Sequence, residues 1–159
     1  MPVSRGTTRR PLAGEIQDAL RDLRLQLAAL HHQVSGLAGI RDADLDCLEV
    51  VDRYGPLSPS TLARRTGLHP ATVTGVLDRL ERGGLVVRER DRADRRSVVV
   101  RGQPTRAAEV FGGYAGLAAA VEQICAGYRE PELELICEFL RRTAAAGLAA
   151  AAELVDSSG

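Results

Sequence analysis

Residues 57–101 read LSPSTLARRTGLHPATVTGVLDRLERGGLVVRERDRADRRSVVVR. Two short helical patterns come first with a tight turn between them, and a strand–loop–strand rich in arginine follows. Ser58 is a good N-cap, and Pro59 stands at the first helical position, where a missing N–H costs nothing. Leu62 and Ala63 are predicted to face inward, and Gly67 supplies the left-handed residue that stops the helix. Leu68 and His69 complete a turn of the length that joins helix-turn-helix pairs. Pro70 opens the second helix, in which Val73, Val76, Leu77 and Leu80 recur at i, i+3, i+4 and i+7 as one buried stripe. The opposite face carries Ala71, Thr74, Gly75, Asp78 and Arg82, with Thr72 and Arg79 on its flank. Small groups near a helix N-terminus let the backbone approach base edges, and threonine can donate, accept or touch a thymine methyl.

Gly83 and Gly84 end that helix, and the runs Leu85-Val86-Val87 and Val98-Val99-Val100 read as paired strands. Between and beside them lie Arg88, Arg90, Arg92, Arg95, Arg96 and Arg101, against Glu89, Asp91 and Asp94. A hairpin loop has no folding reason to gather guanidinium groups, whereas a narrow, electronegative minor groove gives one. Taken alone, the helix pair reads equally as a plain αα-hairpin with its outer face in water. The basic loop beside it favours a winged helix-turn-helix that grips double-stranded DNA. The expected fold is therefore mainly α, a winged helix-turn-helix with a small β wing and long N- and C-terminal dimerisation helices.

At these residues the chain resembles the MarR family of winged-helix transcriptional regulators. The match rests on LSPSTLARRTGL (57–68), TVTGVLDRLERGGLV (72–86) and DRADRR (91–96), the last close to the family's acidic-arginine wing motif. The resemblance implies a homodimer on pseudo-palindromic DNA, often a repressor released by a small ligand or by oxidation. It also implies an effector site between the long helices and the winged lobe, which points to the vicinity of His31, Cys47, Val51 and Tyr114. On this reading Thr72, Thr74 and Gly75 enter the major groove with Pro70 and Ala71 nearby, and Ser58 belongs to the same DNA-facing set. Arg79 and Arg82 meet phosphates. Arg92 and Arg95 are the minor-groove candidates, and Asp94 and Arg96 orient the loop through an ion pair. A winged-helix protein–protein adaptor without specific DNA binding is the alternative.

The charge distribution supports a nucleic-acid partner although the net charge is zero. Residues 1–52 hold six arginines against eight acids, residues 53–103 eleven against five, and residues 104–159 four against eight. A basic centre between acidic arms is a directed footprint for phosphate. With 159 residues and 45% hydrophobic content, the chain is one domain's worth and can bury a core. No apolar run approaches membrane-spanning length and no signal-peptide segment is evident, so the expected location is the cytoplasm of a microbe.

Residues 1–11 form a polar tail expected to be disordered. From Leu12 to about Leu37 a long helix repeats Ile16, Leu20, Leu23, Leu27, Leu30, Val34 and Leu37 in a heptad-like seam. Asp42 or a neighbour caps the next helix. After the wing, Pro104 or Thr105 starts a second long helix with Val110, Tyr114, Leu117, Val121, Ile124 and Tyr128 in step. Its Gly112, Gly113 and Gly116 admit either a close helix contact or a bend. Pro131 opens the last helix, whose Leu133, Ile136, Leu140 and Leu148 share one face. The expected division is 12–40 and 104–156 for dimerisation, and 41–103 for DNA binding. An intramolecular bundle is the competing account of the seams.

No catalytic constellation occurs, so no enzyme and no cofactor are expected. His31 and His32 point about 100° apart on a helix and cannot chelate one ion together, and no metal site is expected. Cys47, Cys125 and Cys137 fit the edges of apolar faces, where free cysteine behaves as a small hydrophobe rather than an oxidant sensor.

Overall fold

The computed structural model describes residues 9–157. Residues 1–8, most of the tail predicted over 1–11, lie outside the described residues, and helix α1 (Arg9–Ala38) begins at Arg9, not at Leu12. Three helices follow: α2 (Asp42–Tyr54), α3 (Pro59–Thr66) and α4 (Pro70–Arg82). Strands β1 (Val86–Arg90) and β2 (Val98–Gly102) pair antiparallel, from Val86 opposite Gly102 to Arg90 opposite Val98. Leu57 adds a bridge to the sheet edge, its N–H donating to Val100 O at 3.2 Å and its carbonyl accepting from Val100 N–H at 2.8 Å. The hairpin is thus tied to the segment that leads into α3.

The ends of these elements follow local chemistry. Ser58 Oγ accepts the Thr61 N–H at 3.2 Å and caps α3, while Gly67 terminates it at φ 70°. Gly84, at φ 69°, turns the chain from α4 into β1. Of the cap expected at Asp42 or a neighbour, it is the neighbour Arg41 that holds the N-cap position. Asp42 instead turns back to α1, where it accepts from the Ser35 hydroxyl and meets His32 Nδ1 at 3.1 Å. Those contacts hold its carboxyl below the ordinary carboxylate value, Ser35 contributing most.

The core sits where α2, α3, α4 and the sheet meet. Leu45, Leu48, Leu62, Val73, Val76 and Leu77 are each no more than 1% exposed. Each such side chain contributes roughly 1.5–3 kcal/mol by leaving water. Cys47 is also wholly buried in this core rather than at an edge, and burial pushes its thiol up to about 12.

The second long helix is not continuous. Helix α5 (Pro104–Phe111) gives way to a 3-10 turn at Gly112–Tyr114, and α6 (Ala115–Cys125) resumes beyond it. Of the two alternatives for the glycines, the close contact is seen at Gly113. A Cβ there would lie 2.9 Å from Val34 Cγ2 and 3.1 Å from Cγ1, so α1 passes this point closely. Helix α7 (Glu130–Asp156) follows. Ile16, Leu23 and Leu27 on α1, Val121 and Ile124 on α6, and Phe139, Leu140 and Leu148 on α7 remain 40% or more exposed. The winged lobe has a dry core, and the arms do not.

Candidate nucleic-acid interface

Helix α4 buries Val73, Val76, Leu77 and Leu80 against the core, which leaves Pro70, Ala71, Thr72 and Thr74 exposed along its N-terminal turns. His69 caps the helix, its Nδ1 accepting the Ala71 N–H at 3.1 Å. Thr74 is exposed and its Oγ1 donates back to Pro70 O at 3.1 Å, so its hydroxyl keeps acceptor capacity. Gly75 is half-buried beside Arg79, with ordinary room for a Cβ 3.6 Å from Arg79 Nη1. The face therefore presents small groups of the kind that fit against base edges. Ser58 lies at the head of α3 and is engaged in capping.

The wing sorts its arginines into two groups. Arg88 reaches α4, Arg101 Nε donates to Glu89 at 2.8 Å, and Arg90 Nη1 donates to Arg95 O at 2.9 Å. The guanidinium groups of Arg92, Arg95 and Arg96 are exposed and carry no ion pair among the described residues. Three free cations thus share one loop tip. The expected Asp94–Arg96 ion pair is corrected. Asp94 accepts the backbone N–H of Arg96 at 3.0 Å and the Ser97 hydroxyl at 2.8 Å, closing the loop through its backbone. The arrangement lowers the Asp94 carboxyl from its ordinary value, the Arg96 N–H first and the Ser97 hydroxyl second. Arg96 is thereby left outward.

Arg79 does not point at solvent as a phosphate ligand would. Its Nε lies 3.1 Å from both oxygens of Asp44 and its Nη2 is 2.5 Å from Oδ1. The Asp44 side chain is 3% exposed and that of Arg79 31%, so the pair is a half-buried two-point clamp between α2 and α4. The phosphate role expected of Arg79 is corrected to a structural one, because a buried carboxylate holds its Nε and Nη2. Arg82 is exposed. Its Nε donates to Asp78 O at 3.1 Å and the rest of the group stays in water.

The exposed helix face, the free cations of the loop and the strand register make a winged helix-turn-helix. The MarR family model matches residues 38–97. YcgE of Bacillus subtilis (strain 168), an HTH-type transcriptional regulator by name, is 32% identical over 124 residues, spanning 78% of this chain and 80% of YcgE. The chain belongs to the MarR family. A MarR family protein from Bacillus stearothermophilus shares the fold with a TM-score of 0.65 at 21% identity, over 87% of this chain and 96% of that one. CouR from Rhodococcus jostii RHA1, solved with p-coumaroyl-CoA, does so with a TM-score of 0.61 at 22% identity, over 84% and 94%. This MarR-family protein is a DNA-binding transcriptional regulator and not an enzyme.

The effector residues suggested for the MarR-family regulator divide in two. His31 Nδ1 and the Tyr114 hydroxyl share a hydrogen bond of 2.9 Å, and both line an open cleft of about 640 Å³ with Leu27, Glu49, Leu117 and Val121. His31 Nε2 also lies 3.2 Å from Asp46. Burial and the nearby Glu49 carboxylate push the Tyr114 phenol up, so it stays protonated. Cys47 and Val51, at 0% and 2% exposure, belong to the core and do not line this cleft, which removes them from its ligand set. Among the described residues no helix is long and apolar enough to cross a membrane, and no cluster of His, Cys, Asp and Glu is built to hold a metal.

The structural roles of two residues went unread in the sequence although both carry a signal. Asp44 stands four and seven residues before Leu48 and Val51, on the apolar stripe of α2, so an acid there needs a buried partner. Arg88 stands two residues after Val86, on the inward face of its strand.

Proposed function

We propose that this regulator is a homodimer that represses transcription from pseudo-palindromic operators and is released by a small molecule. Residues 41–103 bind the duplex, and residues 12–40 with 104–156 join the two copies. Thr72 and Thr74 read the major groove, and Arg92 and Arg95 enter the adjacent minor groove. The observation that carries this reading is the free cation cluster of Arg92, Arg95 and Arg96 beside the small-residue N-terminus of α4. The exposed apolar rows on α1, α6 and α7 support the dimer, since patches of that extent mark association surfaces. A two-fold pair would set its recognition helices about 34–36 Å apart, one turn of the duplex. Such a protein works in the cytoplasm, where a microbe keeps its chromosome.

Release by a ligand is favoured over release by oxidation at Cys47, whereas Cys125 is half-buried and Cys137 exposed. Cys47 is buried with a raised thiol, which is the opposite of a reactive sensor. The cleft beside His31 and Tyr114 offers apolar walls with a few polar groups, as ligand sites do, and the similar CouR was solved with p-coumaroyl-CoA.

Sedimentation and fluorescence anisotropy against the promoter of its own gene, at two salt concentrations, test the proposal. We expect a dimer whose affinity falls steeply with salt, and Arg95→Ala to weaken binding and reduce the salt slope by about one contact. A monomer that ignores every fragment of that promoter sinks the proposal, and duplex binding without sequence preference replaces the operator with an acidic protein partner.

A further inference from the structure

Arg88 carries a cation on the wing and gives it to the recognition helix. Its Nη1 donates to Glu81 Oε2 at 2.7 Å and its Nη2 to Asp78 Oδ1 at 2.7 Å. Its backbone N–H donates to Glu81 Oε1 at 3.1 Å, and Nη2 also meets Thr74 O at 3.4 Å. Every polar contact of this residue outside its own sheet therefore ends on α4. The guanidinium is the most covered of the three charged side chains, 26% exposed against 53% for Asp78 and 40% for Glu81.

Position makes this contact more than a surface ion pair. Asp78 lies one turn beyond Thr74 and one turn before Arg82, on the outward face of α4. Bare carboxylates there would repel phosphate, and Arg88 offsets one of their two charges without spending a cation from the loop tip. Arg88 is also the point from which the wing leaves the lobe. Arg92 stands four residues further along, about 13 Å at a strand's rise. A swing of 10° at Arg88 moves that tip by roughly 2 Å, enough to open a charge-assisted hydrogen bond of about 2.8 Å.

We propose that Arg88 is a positioning residue for DNA binding: through Asp78 and Glu81 it locks the wing to α4 and sets the distance between the two sets of groove contacts. It touches no DNA itself. The assignment rests on the reading above, in which α4 enters the major groove and the wing the minor groove.

The test uses the full-length protein and a duplex that it selects from a random library. Arg88→Met is expected to weaken binding about tenfold. Hydroxyl-radical protection in the flanking minor groove is lost, while guanine N7 protection in the major groove persists. In an Asp78→Asn/Glu81→Gln background the same substitution costs less than about threefold, because the anchors are already gone. Arg88→Lys keeps the charge and the fold but cannot span both carboxylates, so it retains the minor-groove defect in part. Equal losses in the two backgrounds would place Arg88 on the DNA and overturn the clamp. So would a minor-groove footprint that survives in both Arg88 variants. If the unaltered protein protects no minor groove, the wing reading fails and the clamp with it.

Discussion

At the scale of single residues, partners decide what an arginine does. Arg79 and Arg95 are alike in the sequence, yet one neutralises the buried Asp44 and the other faces water. Replacing Arg79 by alanine leaves a carboxylate 3% exposed without a counter-charge, and should cost about 3 kcal/mol in urea unfolding. The salt slope of DNA binding should stay as in the unaltered protein, and a slope reduced by one contact would return Arg79 to the interface. Asp94 gives a test in acid. Its folded carboxyl is depressed below the ordinary 3.8, so its ordering of the loop is fully present above that value. It is lost as pH falls through the lower, folded value. Hydrogen exchange at the Arg96 amide should show protection that disappears in that acid range. Asp94→Ala should lack the protection at every pH.

At the scale of elements, the break between α5 and α6 is the informative feature. Gly113 sits where α1 comes closest, and Val34 is β-branched and stiff, so the contact cannot yield by a rotamer change. Gly113→Ala should destabilise by about 1–3 kcal/mol through overpacking. Adding Val34→Ala should cost less than the separate penalties predict, measured as a double-mutant cycle in thermal unfolding. Additive costs would show that the glycine serves the turn and not the approach. Helix α4 illustrates the opposite case. Its cap at His69, its apolar stripe and its stop at Gly83 and Gly84 are local, and each lies where periodicity and turn chemistry put it.

For the whole molecule, the contrast is between a dry winged lobe and wet arms. Leu140 at 47% exposure and Val121 at 47% stand on helices that bury almost nothing within one chain. Val121→Glu and Leu140→Glu should each shift sedimentation toward the monomer while the lobe keeps its fold. Affinity for a two-half-site duplex should fall by about 100-fold or more, because linked half-sites act at millimolar effective concentration. Variants that stay dimeric would move the interface off these helices. The charge pattern follows this division only in part: α2 of the lobe supplies five of the eight acids counted over residues 1–52, and the surplus of arginine is carried by residues 53–103.

The winged helix-turn-helix was legible because its signals are local: Ser58 and Gly67 bracket one helix, Pro70 and Gly83 the next, and valine runs flank the basic loop. Most of the candidate interface was legible for the same reason, as exposed residues opposite an apolar stripe. The burial of Cys47, the bridge from Leu57 to Val100, and the partners of Arg79 and Arg88 were decided by the tertiary structure alone. Those contacts join residues far apart in the chain. Sequence periodicity tells which way a side chain faces, and only packing tells what stands opposite.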